Sequence, residues 1–257
     1  MTVFENKRFL LVALLCLVAV SCNGNSVDAE EAKVPLQQPE AWQNDLVAWL
    51  TSKPNGYFSD KVLWTHTDMG YNMHAATPIK KDETILIIPQ AAIIHSDDTG
   101  DECVTISKMM KEFEKGNSSD YHPYIRYLFG GHDGGTSPKL LPTTWSPPAK
   151  DLLKTMLGSD LQPLYFEIEG YTQVLQSCAD FIPMEDTMDT TSQQRWKDAY
   201  IFWLSRSWGD KMIPVLDMIN HRNGKWKNVE STTAHAGEDI RVYAVRDIDQ
   251  GEQLWSK

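Results

Sequence analysis

An apolar run over residues 214–219 ends in an amide and an imidazole, Asn220 and His221, and contains one carboxylate, Asp217. Amide and imidazole groups both donate and accept hydrogen bonds, so this pair could hold a polar ligand where a strand ends. The same pattern also fits a strand end whose Asn and His satisfy nearby backbone groups. From these residues alone, both interpretations stay open.

The sequence lacks the short motifs of several large enzyme classes. It contains no G-x-S-x-G, no H-E-x-x-H, no phosphate-binding P-loop and no G-x-G-x-x-G. The sequence therefore lacks the usual signatures of hydrolases, zinc proteases, ATPases and dinucleotide-binding proteins. The seven histidines form no i, i+4 pair and no arrangement with carboxylates at metal-site spacing. We predict no metal site.

Five ordered segments resemble the SET-domain methyltransferases of the Rubisco large-subunit methyltransferase type. The Asp217-Met218-x-Asn220-His221 sequence resembles the Asn-His signature of that family. The other segments agree in order, and the resemblance spans about residues 40–257. They are Gly70-Tyr71-Asn72 with residues 78–83 and 88–89, Trp145 with residues 152–153 and 157–159, residues 205–206, and residues 245–248 with 251–252.

This resemblance implies a protein N-methyltransferase that uses S-adenosylmethionine as methyl donor. The acceptor in the family is usually a lysine side chain and in some relatives a histidine. In-line attack on the methyl carbon depends mainly on positioning. A lysine ammonium must first lose its proton, which a desolvated channel favours because burial disfavours the charged form. The expected partner is a protein substrate, whose identity the sequence does not give.

The resemblance also assigns a cofactor site. Arg206 would hold the cofactor carboxylate in its guanidinium fork, and a salt bridge on the helix surface is the alternative. Asn72 stands where the family has the second glycine of Gly-x-Gly. A Cβ there hinders close approach of the cofactor, although Asn tolerates positive φ better than most residues. The expected cofactor-binding residues are Gly70, Tyr71, Asn72, Arg206, Asn220 and His221.

The family continues beyond the position that corresponds to Lys257, into a Tyr-Gly element with the catalytic tyrosine and a helical substrate-binding domain. We therefore expect the carboxyl-terminal part of the fold to be missing, the family's catalytic tyrosine to lie beyond Lys257 and methyl transfer by this chain to be impaired. The sequence is either a fragment of a longer protein or a remnant that performs the reaction poorly. The alternative function is a non-catalytic secreted interaction domain derived from a SET fold.

Charge excludes one class of partner. The chain has 24 Lys and Arg against 35 Asp and Glu, a net charge of −11. A surface this acidic repels phosphate backbones, so we expect no nucleic acid partner.

The amino terminus resembles a secretory signal. Lys7 and Arg8 precede an apolar run over residues 9–20, which ends in Ala19-Val20-Ser21, small residues suited to signal peptidase. A membrane span needs about 20 apolar residues, so no stable span is expected. We predict cleavage after Ser21 and entry into the secretory pathway or an organelle reached through it. An uncleaved amino-terminal membrane anchor is the alternative.

Two cysteines lie on apolar faces of predicted helices. An oxidising compartment would permit Cys103 and Cys178 to pair, but the pattern favours buried free cysteines over a bridge. Asn117 begins the one N-glycosylation sequon, in a turn where a glycan could be accommodated.

Hydrophobic patterning predicts the elements that position these residues. Apolar stripes predict helices over residues 42–50, 101–114, 121–129, 149–157, 164–181 and 192–207. Short β-leaning runs separated by turns predict strands over residues 62–65, 73–76, 84–88, 213–218 and 241–245. The predicted fold class is α+β, with a SET-domain β-core of short strands interrupted by a helical insert. The segments are a signal peptide (1–21), a flexible leader (22–38), an amino-terminal SET segment (39–97), the insert (98–208) and an incomplete carboxyl-terminal SET segment (209–257).

Overall fold

The computed structural model describes residues 40–67, 70–96, 100–129, 145–157, 178, 180–181, 188–232 and 237–256. Its helices are α1 (Ala41–Ser52), α2 (Glu102–Glu114), α3 (His122–Phe129), α4 (Pro147–Leu157) and α5 (Thr190–Arg206). Its strands are β1 (Tyr57–Phe58), β2 (Val62–Thr67), β3 (Gly70–Ala75), β4 (Thr84–Ile88), β5 (Val229–Ser231) and β6 (Ile240–Ala244). The predicted signal peptide, the leader and residues 164–177 of a predicted helix lie outside the described residues.

One antiparallel sheet joins the two ends of the described chain. Its strand order is β1-β4-β6-β5, and Ile88 of β4 pairs with Ile240 of β6. Strands β2 and β3 form a separate antiparallel hairpin in which Thr65 faces Asn72. The α+β class is confirmed, because helices α2 to α5 fall in sequence between β4 and β5.

The last described residues run along β3 and reach the Asn220 segment. The Ala75 N–H donates to the Glu252 carbonyl at 2.9 Å, and the Leu254 N–H donates to the Met73 carbonyl at 2.8 Å. The Ser256 N–H then donates to the Asn220 carbonyl at 2.9 Å. Residues 251–256 therefore tie β3 to the segment that carries Asn220.

Local sequence explains where the helices begin. Glu40 and Gln43 form a capping box at the start of α1. The Asp101 and Asp189 side chains accept hydrogen bonds from Cys103 and Ser192 N–H groups at the starts of α2 and α5.

The apolar faces of these helices meet in one core. Its fully buried side chains include Leu46, Leu50, Ile106, Met109 and Tyr124.

The predicted strand over residues 213–218 is wrong. Pro214 has no N–H for a strand ladder. Val215 has a φ of 70°, and the Leu216 N–H donates to the Pro214 carbonyl at 2.8 Å, which closes a γ-turn. A 3-10 turn, Leu216–Met218, follows. Positive φ is rare for a β-branched residue, so this turn is strained, and the hydrophobic pattern could not reveal it.

The expectation of free cysteines is also wrong. Cys103 and Cys178 form a disulfide with a Cα–Cα distance of 5.2 Å and a sequence separation of 75 residues. Both residues are buried, as their positions on apolar faces predicted. Periodicity shows that a side chain faces the core, but not which other side chain it meets there.

Gly56 follows α1 and leaves no room for a side chain. A Cβ at this position would lie 2.1 Å from the Leu50 carbonyl oxygen. We expect Gly56→Ala to lower the free energy of unfolding by roughly 2 kcal/mol, because backbone must move. Gly100→Ala is the control, since its Cβ meets nothing within 4 Å and only its φ of +65° adds strain, about 1 kcal/mol. Equal losses in urea unfolding would contradict the steric argument.

Candidate functional site

Two of the residues expected at the cofactor site touch each other. The Asn220 side-chain N–H donates to Asn72 Oδ1, and Gln253 Nε2 donates to the same oxygen at 3.1 Å. Asn72 is 5% exposed and Asn220 is half-buried. Strand β3, residues 217–221 (the Asn-His segment) and residues 251–256 therefore converge on one amide oxygen.

A buried histidine extends this cluster along β3. His74 Nδ1 lies 2.6 Å from the Thr65 hydroxyl, and both side chains are buried. Burial lowers the pKa of His74, so the ring is neutral at neutral pH. Asn72 and His74 share one face of β3, because alternate residues of a strand point to the same side.

Arg206 ends α5 and turns towards the Asn-His segment. Its Nη1 donates to the Asp217 backbone carbonyl at 3.1 Å and lies 3.5 Å from Asp217 Oδ2. The Tyr124 hydroxyl donates to the same Oδ2 at 2.8 Å. The pair is not a surface salt bridge, since the side chains of Arg206 and Asp217 are 16% and 1% exposed.

Burial dominates the electrostatics of this pair. Desolvation raises the pKa of Asp217 to about 6, although Arg206 and Tyr124 stabilise the carboxylate. Burial and the neighbouring Asp217 raise the pKa of Tyr124, which keeps its hydroxyl protonated as a donor. Within the described segments, Asp217 Oδ1 is buried without a hydrogen-bond partner. An unsatisfied buried oxygen of this kind is unusual in a folded protein.

Aromatic rings connect Arg206 to Tyr71. The Arg206 guanidinium lies 5.4 Å from the centre of the Tyr127 ring, and Tyr127 stacks on Trp42 at 5.2 Å. Tyr71 meets Trp42 edge to face at 5.1 Å, and its hydroxyl donates to Glu40 Oε1 at 2.8 Å. Tyr71 thus faces α1, on the side of β3 opposite to Asn72.

The remaining expected residues lie at the ends of the same segments. Gly70 begins β3 and pairs with Thr67. His221 is exposed, and its backbone forms a parallel bridge with Ser256. Beside it, the Arg222 guanidinium lies 3.8 Å from the ring centre of Trp226 and 5.3 Å from that of Trp255.

The structure thus divides the expected residues into two groups. Asn72 and Asn220 are in direct contact, whereas Tyr71 and Arg206 are connected through Trp42 and Tyr127. Asp217, Tyr124 and Gln253 were not among the predicted site residues. Asp217 could have been found, because it lies three residues before Asn220 within the family signature. Tyr124 could not, because 93 residues separate it from Asp217. The cofactor roles of all these residues stay predictions.

The described residues contain no group of three or more His, Cys, Asp or Glu side chains placed to hold a metal ion. Across the same part of the chain, each helix is too short or too polar to cross a bilayer.

The fold combines a β-hairpin with a four-stranded antiparallel sheet. Helices are inserted in the sequence between β4 and β5, and the Asn-His segment is hydrogen-bonded to β3. The family model of the SET domain matches residues 70–256. The chain belongs to the SET domain family. A search among curated proteins gives no match.

Solved structures support the same fold. The SET domain of LSMT bound to lysine and AdoHcy superposes with a TM-score of 0.55 at 14% identity, covering 84% of this chain and 53% of that one. For Rubisco LSMT bound to sinefungin and monomethyllysine, the TM-score is 0.53 at 15% identity, with 85% and 53% covered. Rubisco LSMT bound to AdoMet superposes with a TM-score of 0.52 at 17% identity, covering 86% of this chain and 53% of that one. The chain thus spans about half the length of these relatives.

Proposed function

We propose that this protein is a protein N-methyltransferase that uses S-adenosylmethionine as methyl donor and a lysine side chain as acceptor, with histidine as the second candidate acceptor. Its cofactor site is formed by β3 and residues 217–221. The observation that carries the proposal is the contact between Asn72 and Asn220, because it joins the two segments that resemble the family's cofactor motifs.

The ligands bound to the solved relatives support the choice of cofactor and acceptor. LSMT was solved with AdoMet, AdoHcy and sinefungin, and with lysine or monomethyllysine. Membership of the SET family extends the argument to this chain. Bound S-adenosylmethionine supplies an electrophilic methyl group on sulfur, and a lysine amine that has lost its proton accepts it.

The residues present fit the zwitterionic end of that cofactor. Such a group needs a cation for its carboxylate and an acceptor for its ammonium. Among the described contacts, only Nη1 of Arg206 donates a hydrogen bond, so Nε and Nη2 remain as donors. Asp217 Oδ1 is an acceptor without a partner in the described segments. Arg206 therefore provides the cation for the carboxylate, whereas the Asp217 side chain is 1% exposed and holds the Arg206 guanidinium in position.

Calorimetric titration of the 257-residue chain with S-adenosylmethionine tests the proposal. We expect saturable binding at submillimolar cofactor, and none for ATP, which has the adenosine but lacks the methionine group. Saturable binding accompanied by transfer of a labelled methyl group to lysine-containing protein would establish the activity. Absence of binding at millimolar cofactor would favour the alternative, a non-catalytic interaction domain.

The location of the protein is a separate part of the proposal. We place it in the secretory pathway or an organelle reached through it, on the signal-like sequence over residues 1–21. The Cys103–Cys178 disulfide supports this, because disulfides persist in oxidising compartments. Amino-terminal sequencing of the expressed protein should find Cys22 as the first residue, as cleavage after Ser21 predicts. A cytosolic chain that keeps Met1 would contradict it.

A further inference from the structure

The resemblance places Asn72 at the second glycine of the family's Gly-x-Gly, and in this chain the position carries a carboxamide. Its Oδ1 accepts hydrogen bonds from the side chains of Asn220 and Gln253. Asn72 is not among the non-glycine residues with positive φ, so its backbone has ordinary strand geometry. An asparagine at this position therefore does not strain β3. Any effect of Asn72 on the cofactor site must therefore come from its side chain.

The Asn72 side chain accepts a hydrogen bond from the Asn220 amide, which is the group that the cofactor is expected to use. Asn220 belongs to the Asn-His segment, and one of the two N–H groups of its side-chain amide is already donated to Asn72. A ligand that takes this N–H must first break the bond to Asn72. The buried oxygen of Asn72 would then lose the hydrogen bond that Asn220 supplies, and an incompletely satisfied buried acceptor is unfavourable.

We propose that Asn72 is an internal latch on the cofactor site, whose carboxamide competes with S-adenosylmethionine for the side-chain amide of Asn220. The inference rests on the proposed function and deepens it, since it identifies the residue that sets cofactor affinity in this chain. The latch also holds the site together without ligand, because Asn72 joins β3 to both Asn220 and Gln253.

Replacing Asn72 tests the latch. Calorimetric titration of the 257-residue chain with S-adenosylmethionine should give roughly tenfold tighter binding for Asn72→Gly than for the natural sequence, about 1.4 kcal/mol. Asn72→Ala should also bind more tightly than the natural sequence, because it removes the carboxamide, but by a smaller factor than Asn72→Gly because it keeps the Cβ. Alanine destabilises a strand less than glycine does, so the alanine variant serves if the glycine variant does not fold.

Asn55→Gly is the matched control. It makes the same change of residue type at an exposed position whose side chain donates to Asp239 and does not touch Asn220. Its affinity for S-adenosylmethionine should equal that of the natural sequence. A gain in this variant as large as that of the Asn72 variants would overturn the latch, since the effect would not be local.

A double-mutant cycle supplies a measurement that needs no ligand. Urea unfolding of Asn72→Ala, Asn220→Ala and the double variant should reveal coupling between the two residues in the unliganded chain, and additive losses would overturn the latch. If the natural sequence binds S-adenosylmethionine and the Asn72 variants bind no tighter, the latch is overturned and the proposed function stands. If none of the variants binds at millimolar cofactor, both are overturned.

Discussion

Replacing Cys103 and Cys178 by alanine is expected to lower the free energy of unfolding by about 4 kcal/mol. The disulfide links residues 75 positions apart, and a cross-link of that length removes much conformational freedom from the unfolded chain. It also holds Cys178 in the core beside α2, since both cysteines are buried. An effect of this size is a large part of the stability of an ordinary domain.

Reducing agent provides the internal control for this prediction. Dithiothreitol should lower the urea midpoint of the natural sequence towards that of the Cys103→Ala/Cys178→Ala variant. The variant itself should be insensitive to the reagent. Peptide mapping without reduction should recover residues 103 and 178 in one linked pair. A natural chain that unfolds at the same urea concentration with and without dithiothreitol would refute a stabilising bridge.

The disulfide illustrates what hydrophobic periodicity can predict. The stripes over residues 42–50 and 101–114 were sufficient for α1 and α2, because a helix shows its buried face in its own sequence. Pairing between distant segments leaves no such local signal. The bridge between Cys103 and Cys178 and the short strands β1 and β5 were therefore not predicted.

Contacts between distant residues of the candidate site could not be predicted from the sequence either. Resemblance to the family identified Asn72 and Asn220, but not the hydrogen bond between them across 148 residues. It also led to the expectation that Arg206 faces a cofactor carboxylate, whereas its described polar contacts are with Asp217. The predicted strand over residues 213–218 failed because the φ of Val215 is positive, and residue type alone argues against that conformation.

Arg206→Met is expected to lower the free energy of unfolding by about 3 to 5 kcal/mol at pH 7.5, because it leaves the Asp217 carboxylate buried without a cation. Methionine retains much of the apolar stem of arginine, so lost packing contributes less than lost charge. Arg206→Met/Asp217→Asn should recover most of the loss. The amide keeps an oxygen that can accept from the Tyr124 hydroxyl, which donates to Asp217 at 2.8 Å in the natural chain.

The pH dependence distinguishes a charge effect from a packing effect. The pKa of Asp217 is raised to about 6 in the folded chain, so the folded state holds its proton more tightly than the unfolded state does. Stability from this group is complete below its unfolded pKa, about 4, and is lost as pH rises through 6. The natural chain should therefore lose up to about 3 kcal/mol over this interval relative to Asp217→Asn.

His74 contributes with the opposite sign, since burial lowers its pKa and its contribution is lost as pH falls. That contribution is common to the natural chain and all three variants, so it cancels in their differences. Removing the guanidinium raises the pKa of Asp217 further, which extends the loss to higher pH. Arg206→Met should accordingly be much less destabilising at pH 5 than at pH 7.5, when urea unfolding is followed by tryptophan fluorescence. A loss that is equal at both pH values would mean that Arg206 stabilises the chain by packing on Tyr127 and not by its charge.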